Sequence, residues 1–352
     1  MNRYGFKKWI GAAFLAGGLL LGGCGKEETS YLDRGLGAVT EQQYSSALEF
    51  FTQAVINGED SEEVYRGIGL AYMGLKDYEK AVDSFSQALS YAPMFPGDLE
   101  YDINYYMAIA CYKLGEYDDA ISCYDAIIAM RPKETEAYFL RGSMRLYIND
   151  VEGAALDFEE AVNQNPKDFS MYIDIYDRLL RAGQESLAQG YLDKVMTNGG
   201  SGISDYDKGR ISYYQKDYQQ ACNYFERCRA NGEVDNKVIS LLGECYRLEG
   251  RYDYASAVYA GYVESNPDPE IYNQLGLCYM EQKSYEEALT AFEGGIAITE
   301  NNTCMQTLKK NRIACYEYMY DFSSALTYLE QYIDDYGSDP LLEKEYAFLS
   351  TR

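Results

Sequence analysis

The sequence predicts an all-α fold, a solenoid of antiparallel helix pairs, on three observations. First, a short motif recurs along the chain: Tyr44-Ser45-Ser46-Ala47, Tyr78-Glu79-Lys80-Ala81, Tyr117-Asp118-Asp119-Ala120, Tyr218-Gln219-Gln220-Ala221, Tyr252-Asp253-Tyr254-Ala255, Tyr285-Glu286-Glu287-Ala288 and Phe322-Ser323-Ser324-Ala325. With the weaker matches at Ala154 and Ala188, the alanines are spaced 34, 39, 34, 34, 33, 34, 33 and 37 residues apart. A fixed period of this length marks stacked supersecondary units. Second, within each period apolar residues recur at helical spacing in two runs, separated by turns such as Leu75-Lys76-Asp77 and Leu114-Gly115-Glu116. Third, 38 tyrosines against one tryptophan and only 7 prolines suit packed helices whose side chains sit half in a core and half in water.

Other positions keep the same register. The second period reads Tyr65, Ile68-Gly69, Tyr72, then Ala81, Phe85, Ala88 and Pro93; the eighth reads Tyr272, Leu275-Gly276, Tyr279, then Ala288 and Phe292. The seventh carries Leu242-Gly243, Tyr246, Ala255, Tyr259 and Pro267. This resembles the tetratricopeptide repeat, an aromatic, Leu-Gly and Tyr followed by Ala, Phe and a closing Pro. The resemblance covers about residues 28–336 in nine units and implies a right-handed superhelix with first helices on its concave wall.

The physics of the positions agrees. Gly69, Gly142, Gly243 and Gly276 lie inside helical pattern, where glycine costs about 1 kcal/mol against alanine, a cost that persists where another helix must approach closely. Pro93, Pro132, Pro166 and Pro267 close second helices, because proline lacks a donor and clashes with the preceding turn. Departures from the pattern are expected at Pro96–Glu100 and around Asn301–Met305, read as insertions. In the fifth unit Tyr176 replaces the glycine and Asn198-Gly199-Gly200-Ser201-Gly202 replaces the proline, read as a bend. Residues 339–352 read as a capping helix, with Asp339 at its start, Pro340 in its first turn and Leu342, Tyr346 and Leu349 on one side.

The amino terminus reads as a targeting segment. Arg3, Lys7 and Lys8 precede a thirteen-residue apolar run, Trp9 to Leu21, too short to span a bilayer. The run ends in Leu21-Gly22-Gly23-Cys24, which resembles the bacterial lipobox. That resemblance implies a leader of residues 1–23 and acylation of Cys24. Residues 24–30 are then a lipidated tether and 31–338 the repeat body. The expected location is lipid-anchored on a cell membrane, facing outside the cytoplasm. As a coil the tether reaches only about 14 Å.

Charge narrows the ligand classes. The chain carries a formal −25; without the leader's three cations it holds 28 basic against 56 acidic residues, a charge of −28. Such a body repels phosphate backbones, so no nucleic acid is expected. Enzyme chemistry is not expected either. The chain has no histidine, which removes the commonest general base and metal ligand, and neither a phosphate loop nor a nucleophile elbow is present. No cofactor and no metal are expected. Cys245, Cys278 and Cys315 each precede a first-helix tyrosine, where Ala71 and Ala110 stand in other units, and read as small apolar packing residues. No cysteine pair is identified as a disulfide, and Cys222 and Cys228 are too far apart on one helix to bridge.

Residues expected to point outward from the first helices are Tyr105, Tyr112, Phe139, Tyr147, Tyr206 and Tyr213, with Arg66, Arg210 and Arg247. Repeat proteins that clamp peptide carboxylates place regular Lys and Asn there, and that set is missing. The expected partners are other envelope proteins or peptides on the concave face, and the membrane through Cys24. The leading expectation is a scaffold or adaptor at the bacterial envelope. The alternative is a receptor for an extracellular peptide or cell-wall glycan, because aromatic faces also bind sugars. An alternative fate for the same tyrosines is packing between adjacent repeats.

Overall fold

The computed structural model describes residues 30–59, 61–299 and 302–352, so the expectations for the leader and for Cys24 lie outside the described residues. Those residues form nineteen α-helices, one short 3-10 turn at Gly200–Gly202 and no strand. They fall into two compact units divided between Tyr191 and Leu192. The N-terminal unit holds α1 (Tyr31–Thr40), α2 (Tyr44–Ile56), α3 (Glu62–Leu75), α4 (Tyr78–Leu89), α5 (Asp98–Leu114), α6 (Tyr117–Met130), α7 (Thr135–Tyr147), α8 (Val151–Gln164) and α9 (Phe169–Arg181). The division falls inside α10 (Glu185–Asn198). The C-terminal unit holds α11 (Asp205–Tyr214), α12 (Tyr218–Ala230), α13 (Asn236–Leu248), α14 (Tyr252–Val263), α15 (Pro269–Glu281), α16 (Tyr285–Ala297), α17 (Met305–Tyr318), α18 (Phe322–Tyr336) and α19 (Pro340–Leu349). Eight of the expected pairs pack as such, from α1 on α2 to α17 on α18; α9 and α10 stand in order at the fifth place, and the terminal helix is present.

One turn is used nine times. Each first helix is followed, one or two residues on, by a residue with positive φ: Gln42, Lys76, Gly115, Asn149, Gly183, Lys216, Gly250, Lys283 and Tyr320. The residue after it donates its backbone N–H to the carbonyl five residues back, as Asp77 does to Tyr72 at 3.0 Å and Arg251 to Tyr246 at 2.8 Å. This six-to-one bond satisfies a carbonyl that the helix end would leave orphaned. The donor is also the N-cap of the second helix. Asp77, Asp150, Asp217 and Asp321 accept from the backbone N–H three residues on. One residue thus closes one helix and opens the next, which fixes the pair as a hairpin.

The core follows the ruler read from the sequence. All nine alanines, from Ala47 to Ala325, have no exposed surface. Sixteen residues after each of six helical glycines stands a buried aromatic: Gly35 with Phe51, Gly69 with Phe85, Gly142 with Phe158, Gly209 with Phe225, Gly243 with Tyr259 and Gly276 with Phe292. A Cβ on any of these glycines would stand 2.2–2.8 Å from that ring, so the glycine is the seat of the aromatic. Ala108 and Tyr124 keep the same spacing in the third pair, and both are buried. In the ninth pair Ile313 and Leu329 occupy the two positions and share one cluster, the bulk moved from one helix to the other. Cys245, Cys278 and Cys315 are fully buried among these contacts, as the packing reading expects.

The expected insertions take a definite form. Asp98–Glu100 is the first turn of α5, where the Glu100 carboxylate accepts from the Gly97 backbone N–H at 2.6 Å. The extra residues lengthen that helix to 17. Met305 likewise begins α17.

Candidate functional site

In the N-terminal unit the expected first-helix residues meet different fates. Phe139 is 5% exposed and packs on Phe158 with ring centroids 6.0 Å apart. It belongs to the core, because it lies three residues before Gly142 on the stripe that faces α8. The outward assignment of Phe139 is wrong. Arg66 lies against Asp102 of α5, its Nε donating at 2.5 Å, and so braces neighbouring pairs.

Tyr112 and Tyr147 do come together. Their hydroxyls are 3.2 Å apart, and Tyr147 stacks flat on Tyr117 with centroids 4.6 Å apart. The hydroxyl contact with Tyr147, then burial, pushes the Tyr112 phenol up to about 12. Tyr147 remains 48% exposed. The stack ties the C-terminal ends of α5 and α7 to the first residue of α6, so here the repeat-packing fate and an accessible ring coexist.

Tyr105 leads to residues that the sequence did not single out. Its ring stacks on Tyr101 at 6.3 Å, and the Arg131 guanidinium sits 3.7 Å over the Tyr101 ring centre. Glu136, in the first turn of α7, faces the same region. Its carboxyl is pushed up to about 8 by burial, then by the charges of Asp174, Glu134 and Asp168, with Arg178 opposing. Tyr101 is raised to about 12 by burial and by Glu134, and Tyr105 is raised by burial and then by Glu136. First turns of α5 and α7 and the body of α9 therefore gather two tyrosines and several carboxylates into one half-buried, electronegative patch. Such a patch favours a cation laid against an aromatic wall. A sequence signal existed, since Glu134 and Glu136 flank the start of a first helix, yet solvated charges look identical in sequence.

In the C-terminal unit the expected residues are largely engaged internally. Arg210 is 6% exposed and reaches Asp207 at 3.4 Å, so its outward assignment is wrong. It adjoins Gly209, on the stripe that meets α12. Tyr206 packs on Phe225 at 6.0 Å. Tyr213 packs edge-on against Tyr214 at 5.6 Å and lies 5.9 Å from Tyr218. Arg247 makes a two-pronged pair with Glu244, both bonds 2.8 Å.

Two thiol contacts escaped the sequence reading: Cys111 with Cys123, and Cys222 with Cys245, each share a hydrogen bond. Among the described residues no group of three or more Cys, Asp or Glu is arranged to hold a metal ion. No described helix is long and apolar enough to cross a membrane.

With this geometry in view, the comparisons with known proteins are specific about fold. A tetratricopeptide repeat model matches residues 62–95. The Fis1 C-terminal tetratricopeptide repeat matches 101–149, and the anaphase-promoting complex, cyclosome, subunit 3 model matches 214–295. The chain is 21% identical over 270 residues to the BBSome complex member BBS4 of Bos taurus, covering 74% of this chain and 49% of that protein. It is 22% identical over 244 residues to the Hsp70-Hsp90 organizing protein of Triticum aestivum, covering 64% and 39%. The chain thus spans half or less of these relatives' length. Yeast Tom70 superimposes with a TM-score of 0.56 at 13% identity, covering 93% of this chain and 69% of that one. A tetratricopeptide repeat protein from Parabacteroides merdae gives 0.47 at 17% identity, covering 72% and 98%. The chain carries tetratricopeptide-type repeats, the fold of protein-interaction scaffolds.

Proposed function

We propose that this chain is a lipid-anchored scaffold at a bacterial cell envelope, without catalytic activity, which holds a basic segment of a partner protein against the first-helix face of its N-terminal unit. The observation that carries the reading is the patch of Tyr101, Tyr105 and Glu136, where burial and neighbouring carboxylates raise a carboxyl to about 8. A lysine or arginine entering it takes the place of the proton held on the Glu136 carboxyl, pairs with the carboxylates and lays its charge on a tyrosine face. The acidic body draws a basic partner from a distance, and raised salt slows that encounter. The leader 1–23, acylation at Cys24 and the tether 24–30 place the body beside the membrane in this reading.

The test is titration of the purified chain with short Lys- and Arg-rich peptides. Tyr105→Ala and Glu136→Gln should each weaken binding by about 1–3 kcal/mol, the range of interface hot spots, with unchanged circular dichroism. Peptide binding indifferent to both substitutions refutes the patch. Binding of peptidoglycan fragments in place of peptides would favour the glycan receptor, with the exposed Tyr147 as the ring to probe.

A further inference from the structure

Within the N-terminal unit, successive helices alternate in direction, so starts of first helices and ends of second helices share one edge. Contacts confirm it. The Leu32 backbone N–H donates to Glu59 at 3.3 Å, Tyr65 stacks on Tyr91 at 5.6 Å, and Arg131 reaches Asp98 at 2.5 Å. Ser30, where the described chain begins, is on that edge, and so is the loop from Ser90 to Gly97 between α4 and α5.

That loop carries Met94 and Phe95, 88% and 84% exposed, the two most exposed large apolar side chains among the described residues. Its feet are fixed, by the Tyr91 stack on Tyr65 at one end and by the Gly97 bond to Glu100 at the other. Pro93 and Pro96 frame the tip; each fixes its own φ, and Pro96 also holds Phe95 extended. The apolar pair is therefore held outward on a stiff support and cannot fold back for free. Ile56, 69% exposed at the end of α2, lies on the same edge.

We infer that Met94 and Phe95 form a wedge that enters the interface of the bilayer to which Cys24 is attached, and so fixes the edge of the N-terminal unit against the membrane. This rests on the lipid-anchor reading. Six residues, 24–29, precede Ser30 in the tether, about 20 Å at full extension, so anchoring keeps the Ser30 end of this edge close to the lipid. A two-residue wedge is far too weak to recruit a free protein. On a tethered one, where the local lipid concentration is already high, it suffices to set orientation. The surroundings, with Glu59, Glu62, Glu63 and Glu134 beside Arg131 and Lys133, favour a zwitterionic surface over an anionic one.

The chain offers a clean probe. Its single tryptophan, Trp9, lies in the expected leader, so Phe95→Trp in the full chain gives the processed protein one indole, excited selectively on the red edge beyond the tyrosine absorption. The control is Leu75→Trp, on the opposite edge at the end of α3 and 45% exposed. Both variants are purified from membranes, their intact masses measured, and both reconstituted on phosphatidylcholine vesicles with and without brominated acyl chains. The wedge requires acylated Phe95→Trp to show blue-shifted emission and quenching by brominated lipid, and acylated Leu75→Trp to show neither. Acyl mass on Cys24 with the Phe95→Trp indole fully solvated overturns the wedge alone. No acyl mass overturns the anchor and the wedge together. A blue shift that appears without lipid and grows with protein concentration overturns the wedge in favour of a second copy as occupant.

Discussion

Gly276→Ala is expected to destabilise the C-terminal unit by about 2 kcal/mol, although alanine is the better helix former. In an exposed helix the substitution would gain about 1 kcal/mol. Here the new Cβ stands 2.3 Å from Cε1 of Phe292, 2.6 Å from Cδ1 and 2.7 Å from Cζ. The Phe292 ring has no exposed surface, so it must move about an ångström into packed neighbours. Overpacking of that kind costs about 1–3 kcal/mol and more where the backbone shifts, which outweighs propensity. The decisive measurement is a double-mutant cycle with Phe292→Leu. That change alone opens a cavity and costs about 1–2 kcal/mol. Combined with Gly276→Ala, each substitution relieves the other, as Ile313 and Leu329 do in the ninth pair, and the coupling should exceed about 1 kcal/mol. Urea titration followed by circular dichroism reads the midpoints. Because repeat arrays depart from two-state unfolding, hydrogen exchange in α15 and α16 reads the same loss locally. Gly276→Ala that is neutral or stabilising, or strict additivity in the cycle, would refute the seat-and-ring account of the pair.

Three further outcomes follow from other contacts. Asp157, 3% exposed, receives the Arg141 guanidinium through two bonds of 2.5 and 3.0 Å and lies 3.0 Å from Arg145, so Asp157→Ala leaves two half-buried cations and should cost about 3 kcal/mol in a denaturant titration. Phe139→Ala should cost about 3–5 kcal/mol, as expected of a core ring, whereas Tyr147→Ala should leave the unfolding midpoint within about 1 kcal/mol. The folded Glu136 carboxyl titrates near 8 against an ordinary value of 4.5. The folded chain therefore binds the extra proton between those values, and its stability falls as pH rises through that window. The slope is about 1.4 kcal/mol per unit; Glu136→Gln should flatten it, and an unchanged slope would show that other groups carry it.

The order of amino acids alone was enough to define the period of the helix pairs, the turns and the small residues at the helix crossings. A repeated hairpin imposes its own period: Ala81 and its equivalents, Gly276 sixteen residues before Phe292, and Asp339 before Pro340 are all local or near-local relations. A helix pair needs only its own residues to define which stripe is inside. Which residues beside that stripe stay accessible was not legible there. Phe139 and Arg210 sit one to three positions from a seating glycine, and a rotation of a few tens of degrees about the helix axis separates facing a partner from facing α8 or α12. Charge was equally ambiguous. Glu136 looks like any solvated acid until Tyr105 from α5 and Asp174 from α9 are brought beside it, and Cys222 acquires its contact with Cys245 only when α12 packs on α13. Burial along a repeat follows from period, which one strand of text displays. Electrostatics and accessibility depend on distances between side chains on different helices, and only the packed helices set those.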